Sequence, residues 1–315
     1  MKMNHFYVML KKLYQERVLR TILLAFLIMV PMILLQPPVI SGIYPEEYWA
    51  RKASWHNCAD VVLAGDSKVI DGLCPSEMGK YLHGYKILNY GFGGASFSKA
   101  YLEKVESILN QDSDKKIIVT GISPHSLTKR KVDSENFLGI ISMSKSDIFF
   151  RFHFAKYLHY LEPLKFRHAI EQIRTSREEI ENKGSYYPDG WISGDKIPGS
   201  IKKMLKKYDG YYNERVVDPC NIDNISRYVE KWVKQGIHVY GFLPPSCKEM
   251  YELELRRSGI NEPELIQKFK QAGGIWIDVD QSGYVSFDGT HLQRDSALEL
   301  SRFVAKKICE KEFHK

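Results

Sequence analysis

The sequence predicts an α/β domain in which a parallel sheet carries helices on both faces, preceded by a transmembrane helix. Short apolar runs alternate with segments of helical periodicity along most of the 315 residues, as in strands joined by crossover helices. Several of these runs end in a glycine or a glycine-rich loop. In parallel sheets of this kind the reactive groups collect beyond the carboxyl ends of the strands. An uncharged stretch near the N-terminus predicts the membrane segment.

That stretch, Thr21–Tyr44, contains 24 residues without a charge and includes Pro31, which membrane helices tolerate. A membrane-spanning helix needs roughly 20 residues. Residues 1–20 carry five Lys or Arg and one Glu, whereas Glu46 and Glu47 follow the stretch. The positive-inside rule then predicts a cytoplasmic basic tail (1–20), a single-pass cell-membrane anchor (21–44) and an extracytoplasmic remainder. A cleaved signal peptide is the alternative, but no small-residue cleavage site follows the apolar core.

Five strands and four helices are predicted in residues 45–315. The strands are short apolar runs, at Asp60–Ala64, Lys86–Asn89, Lys116–Thr120, Ile237–Phe242 and Ile275–Val279. The helices have apolar residues at helical spacing, at Phe97–Leu109, Ile222–Lys234, Glu262–Gln271 and Ser296–Cys309. Because strands and helices largely alternate, the pattern favours a parallel sheet over a meander of hairpins.

Residues 128–220 interrupt the alternation, and we expect a partly helical insertion there. A structureless loop of that length would be unusual in a compact domain, and Ala169–Asn182 has a helical pattern. The segment is rich in aromatic residues: Phe149, Phe150, Phe152, Phe154, Tyr157, Tyr160, Tyr186, Tyr187, Trp191, Tyr208, Tyr211 and Tyr212. Two roles are open for them, stacking on sugar rings or forming the core of the insertion itself.

The charge of the chain argues against nucleic acid as a partner. Of the formal net charge of +7, the first 20 residues contribute +4, and the rest of the chain is only mildly basic. Nucleic-acid-binding domains concentrate basic residues on one face. The histidines of the insertion, His153, His159 and His168, lack the i, i+4 spacing of a helical metal site. No metal and no cofactor is predicted.

Gly65-Asp66-Ser67 directly follows the first predicted strand. A serine at a strand-to-helix turn presents its hydroxyl at the edge of the sheet, where a nucleophile is needed. The alternative is that Ser67 only caps a helix, which Ser and Asp often do. The tripeptide by itself does not separate these two interpretations.

Asp288-Gly289-Thr290-His291 precedes the last predicted helix. A serine hydroxyl is a poor nucleophile unless a base, usually His, accepts its proton, and a carboxylate orients that base. An Asp three residues before a His, across a glycine-containing turn, can bring both groups to one edge. The alternative is that Asp288 caps the last helix and His291 is a surface histidine.

Asn89-Tyr90-Gly91-Phe92-Gly93-Gly94 follows the second predicted strand. Glycines at this position let backbone N–H groups face a reacting centre, as an oxyanion hole requires. A phosphate-binding loop is the alternative. The pattern departs from GxGxxG, however, and follows the second strand rather than the first.

Taken in this order, the three motifs resemble those of the SGNH/GDSL hydrolase family, and in particular its divergent membrane-anchored members linked to cell-surface polysaccharide O-acylation. The resemblance covers most of residues 58–126 and 221–309. It implies a three-layer, flavodoxin-like (SGNH hydrolase) fold. It also implies a catalytic triad of Ser67 as nucleophile, His291 as base and Asp288 as its orienting carboxylate.

The resemblance further implies that the backbone N–H groups of Ser67 and Gly94 hold the oxyanion. One family position differs. After its third strand the family has an asparagine whose side chain completes the oxyanion hole, and this chain has Ser123 there, in Gly121-Ile122-Ser123-Pro124-His125. A hydroxyl donates one hydrogen bond but reaches less far. Ser123 is predicted as the third donor, with His125 as the alternative.

The predicted function is serine esterase or O-acyltransferase chemistry, with an acetyl group the expected acyl group. The expected substrate is an extracytoplasmic acylated glycan or envelope polymer, and a membrane-embedded acyltransferase is a candidate partner. Water as acyl acceptor gives hydrolysis, and a sugar hydroxyl gives transfer. The alternative is a non-catalytic scaffold or glycan-binding accessory on a degenerate SGNH fold, which Ser123 favours and the three triad residues disfavour.

Overall fold

A five-stranded parallel sheet forms the centre of the protein. The computed structural model of the chain describes residues 2–34, 42–128, 135–161, 184–194 and 201–312. The strands are β1 (Val61–Gly65), β2 (Ile87–Asn89), β3 (Ile117–Gly121), β4 (His238–Phe242) and β5 (Ile275–Trp276). They lie in the order β2-β1-β3-β4-β5 with parallel pairing throughout, which is the flavodoxin-like order. The predicted α/β class is confirmed.

The register of the central strands brings their carboxyl ends level. Gly65, the last residue of β1, pairs with Gly121 at the end of β3, and Gly121 pairs with Phe242 at the end of β4. Residues that follow these strands therefore emerge along one edge. Asp66-Ser67 and Ile122-Ser123 occupy that edge.

Twelve α-helices are described. They are α1 (Lys2–Leu34), α2 (Pro45–Ser54), α3 (Ser67–Gly72), α4 (Pro75–Met78), α5 (Lys99–Ile108), α6 (Glu135–Ile141), α7 (Lys145–Leu161), α8 (Ile201–Glu214), α9 (Pro219–Lys234), α10 (Lys248–Ser258), α11 (Glu262–Gln271) and α12 (Arg294–Glu312). A 3-10 turn, Pro124–Leu127, follows β3.

The sheet has a helical layer on each face because successive strand residues point to opposite sides. Val62 and Ala64 of β1 pack in a core with α5, α9 and α11. Val61 and Leu63 of the same strand pack in a second core with α3, α4 and α12. All four side chains are fully buried, and the result is the predicted three-layer arrangement.

The predicted helices differ from the observed ones mainly at their ends. Pro219 begins α9 three residues before the predicted start, and the Asp218 side chain caps it by accepting from the N–H of Cys220. The fifth strand is only two residues long, Ile275–Trp276, rather than Ile275–Val279. It lies at the edge of the sheet and pairs with β4 alone, at Tyr240 and Gly241.

The predicted insertion, residues 128–220, contains α6, α7 and α8. Helix α7 packs against α2, which precedes the sheet in the chain. The helix predicted at Ala169–Asn182 lies outside the described residues. The domain boundaries at 20, 44, 128 and 220 stay predictions.

The transmembrane helix predicted at residues 21–44 is not supported. Helix α1 is described over Lys2–Leu34, which includes only the first part of that segment. Residues 35–41 lie outside the described part of the chain. Among the helices that are described, none combines the length and the apolarity needed to cross a membrane.

Candidate active site

Ser67, His291 and Asp288 form a continuous chain of hydrogen bonds at the carboxyl edge of the sheet. Ser67 Oγ lies 2.8 Å from His291 Nε2, and His291 Nδ1 lies 2.8 Å from Asp288 Oδ2. An ionised carboxylate only accepts hydrogen bonds, so Nδ1 carries the imidazole proton and Nε2 is free to accept the proton of the serine hydroxyl. The structure thus brings together the three predicted triad residues, which are up to 224 positions apart in the chain.

The position of Ser67 follows from a sharp turn between β1 and α3. Asp66, not Ser67, caps α3, and its Oδ1 accepts from the N–H of Lys68 at 3.0 Å. The interpretation of Ser67 as a helix cap is therefore wrong. Gly65 has φ +153°, and a Cβ there would lie 2.4 Å from Val69 Cγ2 and 2.6 Å from the Gly121 carbonyl oxygen. The turn therefore requires glycine at position 65.

Asp288 and His291 lie in a tight loop closed by backbone hydrogen bonds. The N–H of Phe287 donates to the carbonyl of His291 at 3.0 Å, and the Phe287 ring stacks on the imidazole at 5.7 Å between centroids. Asp288 Oδ1 accepts from the N–H groups of Thr290 and His291, both at 2.9 Å. Helix α12 begins only at Arg294, so Asp288 does not cap it.

The surroundings of Asp288 keep it ionised. Burial raises its pKa, but the hydrogen bond and charge of His291, together with the two backbone N–H groups, outweigh burial and lower the pKa to about 2. A carboxylate in this state fixes the tautomer of the imidazole and stabilises the imidazolium that forms when His291 accepts a proton.

Two of the predicted oxyanion donors are backbone N–H groups, those of Ser67 and Gly94. Ser67 is the first residue of α3, so its N–H has no acceptor within the helix. Gly94 has φ +70° and is partly exposed. It lies in a turn closed by the N–H of Ala95 donating to the carbonyl of Phe92 at 3.0 Å. The N–H of Phe92 in turn donates to the carbonyl of Gly65 at 3.1 Å, which ties this turn to the start of the nucleophile segment.

The third predicted donor, Ser123, has a different partner. Its hydroxyl donates to Asp66 Oδ2 and accepts from the N–H of Ser126 at 3.1 Å. Since a hydroxyl has one proton to donate, Ser123 holds Asp66 in this arrangement. His125 Nδ1 lies 3.9 Å from Asp66 Oδ2, and its ring packs against Tyr211. The role of Ser123 in an oxyanion hole stays a prediction.

Beside the nucleophile lies a buried ion pair that no sequence motif indicated. Lys68 Nζ and Glu254 Oε2 are 2.7 Å apart, and each side chain is 2% exposed. The Tyr212 hydroxyl donates to the other carboxylate oxygen at 3.3 Å. Glu254 lies on α10, 186 residues after Lys68, so only the tertiary structure shows that they pair.

We expect Glu254→Ala to lower the free energy of unfolding by about 3–5 kcal/mol, because it leaves the Lys68 ammonium buried without its partner. Urea denaturation of the purified protein measures this. Glu252→Ala is the matched control on the same helix, since Glu252 forms an exposed pair with Lys248 at 3.9 Å. Exposed pairs contribute about 0–1 kcal/mol. Equal losses in the two variants would contradict a stabilising role for the buried pair.

A further buried group joins the ends of β1 and β2. The Tyr101 hydroxyl accepts from the N–H of Gly65 at 2.8 Å and contacts the carbonyl oxygen of Tyr90 at 2.8 Å. Burial raises the pKa of this phenol, so it stays a neutral hydroxyl. Within the described ranges, no group of three or more His, Cys, Asp or Glu side chains could hold a metal ion.

No family model and no curated protein matches the sequence. Among solved structures, the chain is similar to a protein of the G-D-S-L lipolytic family from Desulfitobacterium hafniense DCB-2, with 10% identity over 78% of this chain and 98% of that chain and a TM-score of 0.38. It is also similar to a carbohydrate acetylesterase from Sinorhizobium meliloti, with 12% identity over 80% of this chain and 99% of that chain and a TM-score of 0.34. A third similar structure is the aryl esterase of M. smegmatis, with 11% identity over 79% of this chain and 98% of that chain and a TM-score of 0.33. These solved structures are of lipolytic proteins and esterases.

Proposed function

We propose that the protein is a serine acyl-ester hydrolase or O-acyltransferase of the SGNH type. The observation that carries the proposal is the hydrogen-bonded chain from Ser67 through His291 to Asp288, with 2.8 Å at each step. Nucleophile, base and orienting carboxylate are all present in contact, as covalent acyl chemistry requires.

In the proposed reaction Ser67 Oγ attacks the acyl carbonyl as its proton passes to His291 Nε2. The developing oxyanion is held by the N–H groups of Ser67 and Gly94. The C–O bond to the leaving alcohol then breaks, and the alcohol leaves with the proton from His291. An acceptor hydroxyl attacks the acyl-Ser67 ester with His291 again as base, and Ser67 regains its proton. Water as acceptor gives hydrolysis, and a sugar hydroxyl gives transfer.

The direct test uses the purified full-length protein. We expect a fluorophosphonate probe to label it covalently, peptide mapping to place the label on Ser67, and p-nitrophenyl acetate to be hydrolysed. No labelling and no hydrolysis by folded protein would instead favour the non-catalytic scaffold or glycan-binding accessory. The engagement of the Ser123 hydroxyl by Asp66 is the observation on the side of that alternative.

An O-acetylated glycan or envelope polymer is the substrate that we propose. Part of the aromatic set predicted in the insertion supports it: Phe149, Phe150 and Tyr157 on α7 are 55%, 56% and 63% exposed, and exposed rings can stack on sugars. Trp191 and Tyr212 are buried and contribute to the core instead. Acetate release from acetylated oligosaccharides, compared with acetyl transfer to unmodified ones by mass spectrometry, separates hydrolysis from transfer. Activity on neither would exclude this substrate class.

We also propose that the catalytic domain works outside the cytoplasm at the cell membrane, with a membrane-embedded acyltransferase as a candidate partner. The basic residues Lys11, Lys12, Arg17 and Arg20 precede the exposed apolar side chains of α1, in the order that the positive-inside rule gives for a cytoplasmic N-terminus. Alkaline phosphatase is active only outside the cytoplasm. We therefore expect a fusion of it to the C-terminus to be active. An inactive, stable fusion would contradict this location.

A further inference from the structure

Lys52, on α2, is a buried cation next to the glycine-rich segment after β2. Its side chain is fully buried, and its ammonium donates to the carbonyl of Gly91 at 2.6 Å. The ammonium also lies over the rings of Phe92 and Tyr48, at 4.7 and 5.0 Å from their centroids. Burying a charge is costly unless specific partners compensate for it, so this lysine calls for an explanation.

The charge balance of Lys52 depends on nearby groups as well as on that hydrogen bond. Burial lowers its pKa well below the ordinary value, while the negative charges of Asp71 and Asp189 act in the opposite direction. In either protonation state the amine has a proton to donate. The hydrogen bond to Gly91 therefore does not depend on the charge.

Gly91, the acceptor, is held from its other side by Asn89. The N–H of Gly91 donates to Asn89 Oδ1 at 2.9 Å. The Asn89 amide donates in turn to the carbonyls of Val69 and Leu73, at 2.8 and 2.7 Å, and Val69 belongs to α3, which carries Ser67. The peptide groups on either side of Gly91 are thus fixed both to α2 and to the nucleophile helix.

The packing around Gly91 leaves no room for a side chain. A Cβ on Gly91 would lie 2.7 Å from the backbone nitrogen of Ile70 and 3.1 Å from the carbonyl oxygen of Asp66. This residue is therefore pressed against the turn that presents Ser67. Any movement of Gly91 moves the segment that follows it, Phe92–Ala95, relative to the nucleophile.

We propose that Lys52 is a positioning residue of the oxyanion hole. This proposal rests on the proposed function. By holding the Gly91 carbonyl it fixes the loop Gly91–Gly94, and with it the N–H of Gly94, against Ser67. Donors that are already oriented stabilise an oxyanion without reorganising in the transition state. Lys52 lies on α2, before the sheet, and its hydrogen bond is to Gly91 rather than to Ser67 or His291. It therefore acts through the loop Gly91–Gly94.

Lys52→Met tests this, because methionine is also long and unbranched but has no donor for Gly91. Losing an oxyanion donor outright costs on the order of 10²–10³ in kcat. We expect displacement of the loop to lower kcat for p-nitrophenyl acetate by about 10–100-fold, with KM changed by less than about threefold. Lys52→Gln, which is shorter and keeps a polar head, is the second variant and should give the same split between kcat and KM.

Tyr48→Phe is the matched control. Tyr48 also lies on α2, and its hydroxyl donates a buried hydrogen bond of 2.8 Å to a backbone carbonyl, that of Gly190. This variant loses a comparable contact but keeps the bond from Lys52 to Gly91. We expect its kcat to stay within about twofold of the wild type. If both variants lose kcat in proportion to their loss in Tm, Lys52 has only a structural role and the inference is overturned.

Amide hydrogen exchange gives a readout that does not need activity. We expect Lys52→Met to speed exchange at the Phe92 and Ala95 amides, which donate to the carbonyls of Gly65 and Phe92, and Tyr48→Phe to leave it unchanged. Unchanged exchange at these amides in folded Lys52→Met overturns the positioning role even if the wild type is an active esterase. A wild-type protein without esterase activity or fluorophosphonate labelling overturns the proposed function, whereas the exchange result still decides whether Lys52 holds the loop.

Discussion

Ser67→Ala is expected to lower kcat for p-nitrophenyl acetate by at least about 10⁴-fold, since the members of a triad act as a unit and loss of the nucleophile removes covalent catalysis. The fold should not suffer, because the cap of α3 is supplied by Asp66 rather than by Ser67. Steady-state kinetics and urea denaturation of the same preparations measure the two effects. Fluorophosphonate labelling should disappear in parallel.

Ser54→Ala is the control for this variant. Ser54 ends α2, and its exposed hydroxyl donates to the carbonyl of Arg51 in the same helix, at 2.8 Å. We expect wild-type kcat and labelling. Retention of more than about a tenth of the wild-type kcat in Ser67→Ala would show that another group is the nucleophile, and the triad assignment would then be wrong.

The positions of the triad residues could be predicted because each depends on a local feature. Ser67 follows a strand that ends in glycine, and parallel pairing brings the ends of β1 and β3 level. Asp288 and His291 are three residues apart, and a single loop orients both. Alternation of apolar runs similarly predicted the five strands, because the first four are short runs whose residues are almost all buried between the two helical layers.

The supporting contacts could not be predicted, because they join residues that are distant in sequence and carry no motif. Lys52 reaches Gly91 across 39 residues, and Lys68 reaches Glu254 across 186. In each case the side chain is of a type that usually lies in solvent. Its burial depends on how α2 and α10 pack, which periodicity does not determine.

Ser123 shows a different limit. Its place after β3 follows from the strand pattern, but the direction of its single proton depends on which acceptor is nearest. The Asp66 carboxylate accepts the hydrogen bond from the Ser123 hydroxyl, although Asp66 was expected only as part of the Gly65-Asp66-Ser67 motif.

Asp288→Asn is expected to lower kcat/KM by about 10³–10⁴-fold, because an amide facing His291 Nδ1 favours the wrong tautomer and cannot stabilise the imidazolium. The substitution is nearly isosteric, and the amide oxygen can still accept from the N–H groups of Thr290 and His291, as Oδ1 does at 2.9 Å. Kinetics at neutral pH measures the loss. If Asp288→Asn keeps more than about a tenth of the wild-type kcat/KM, Asp288 does not orient the base.

The same variant tests the ionisation of Asp288 through stability. The pKa of Asp288 is lowered from 3.8 to about 2 in the folded protein, so its charged form stabilises the fold above about pH 4, and this contribution disappears as the pH falls through about 2. A shift of this size corresponds to about 2 kcal/mol. We therefore expect the wild type to lose more unfolding free energy than Asp288→Asn between about pH 5 and pH 2.5 in urea denaturation. Parallel losses in the two proteins would show that the Asp288 carboxylate is not held in its charged state by His291 and the two backbone N–H groups.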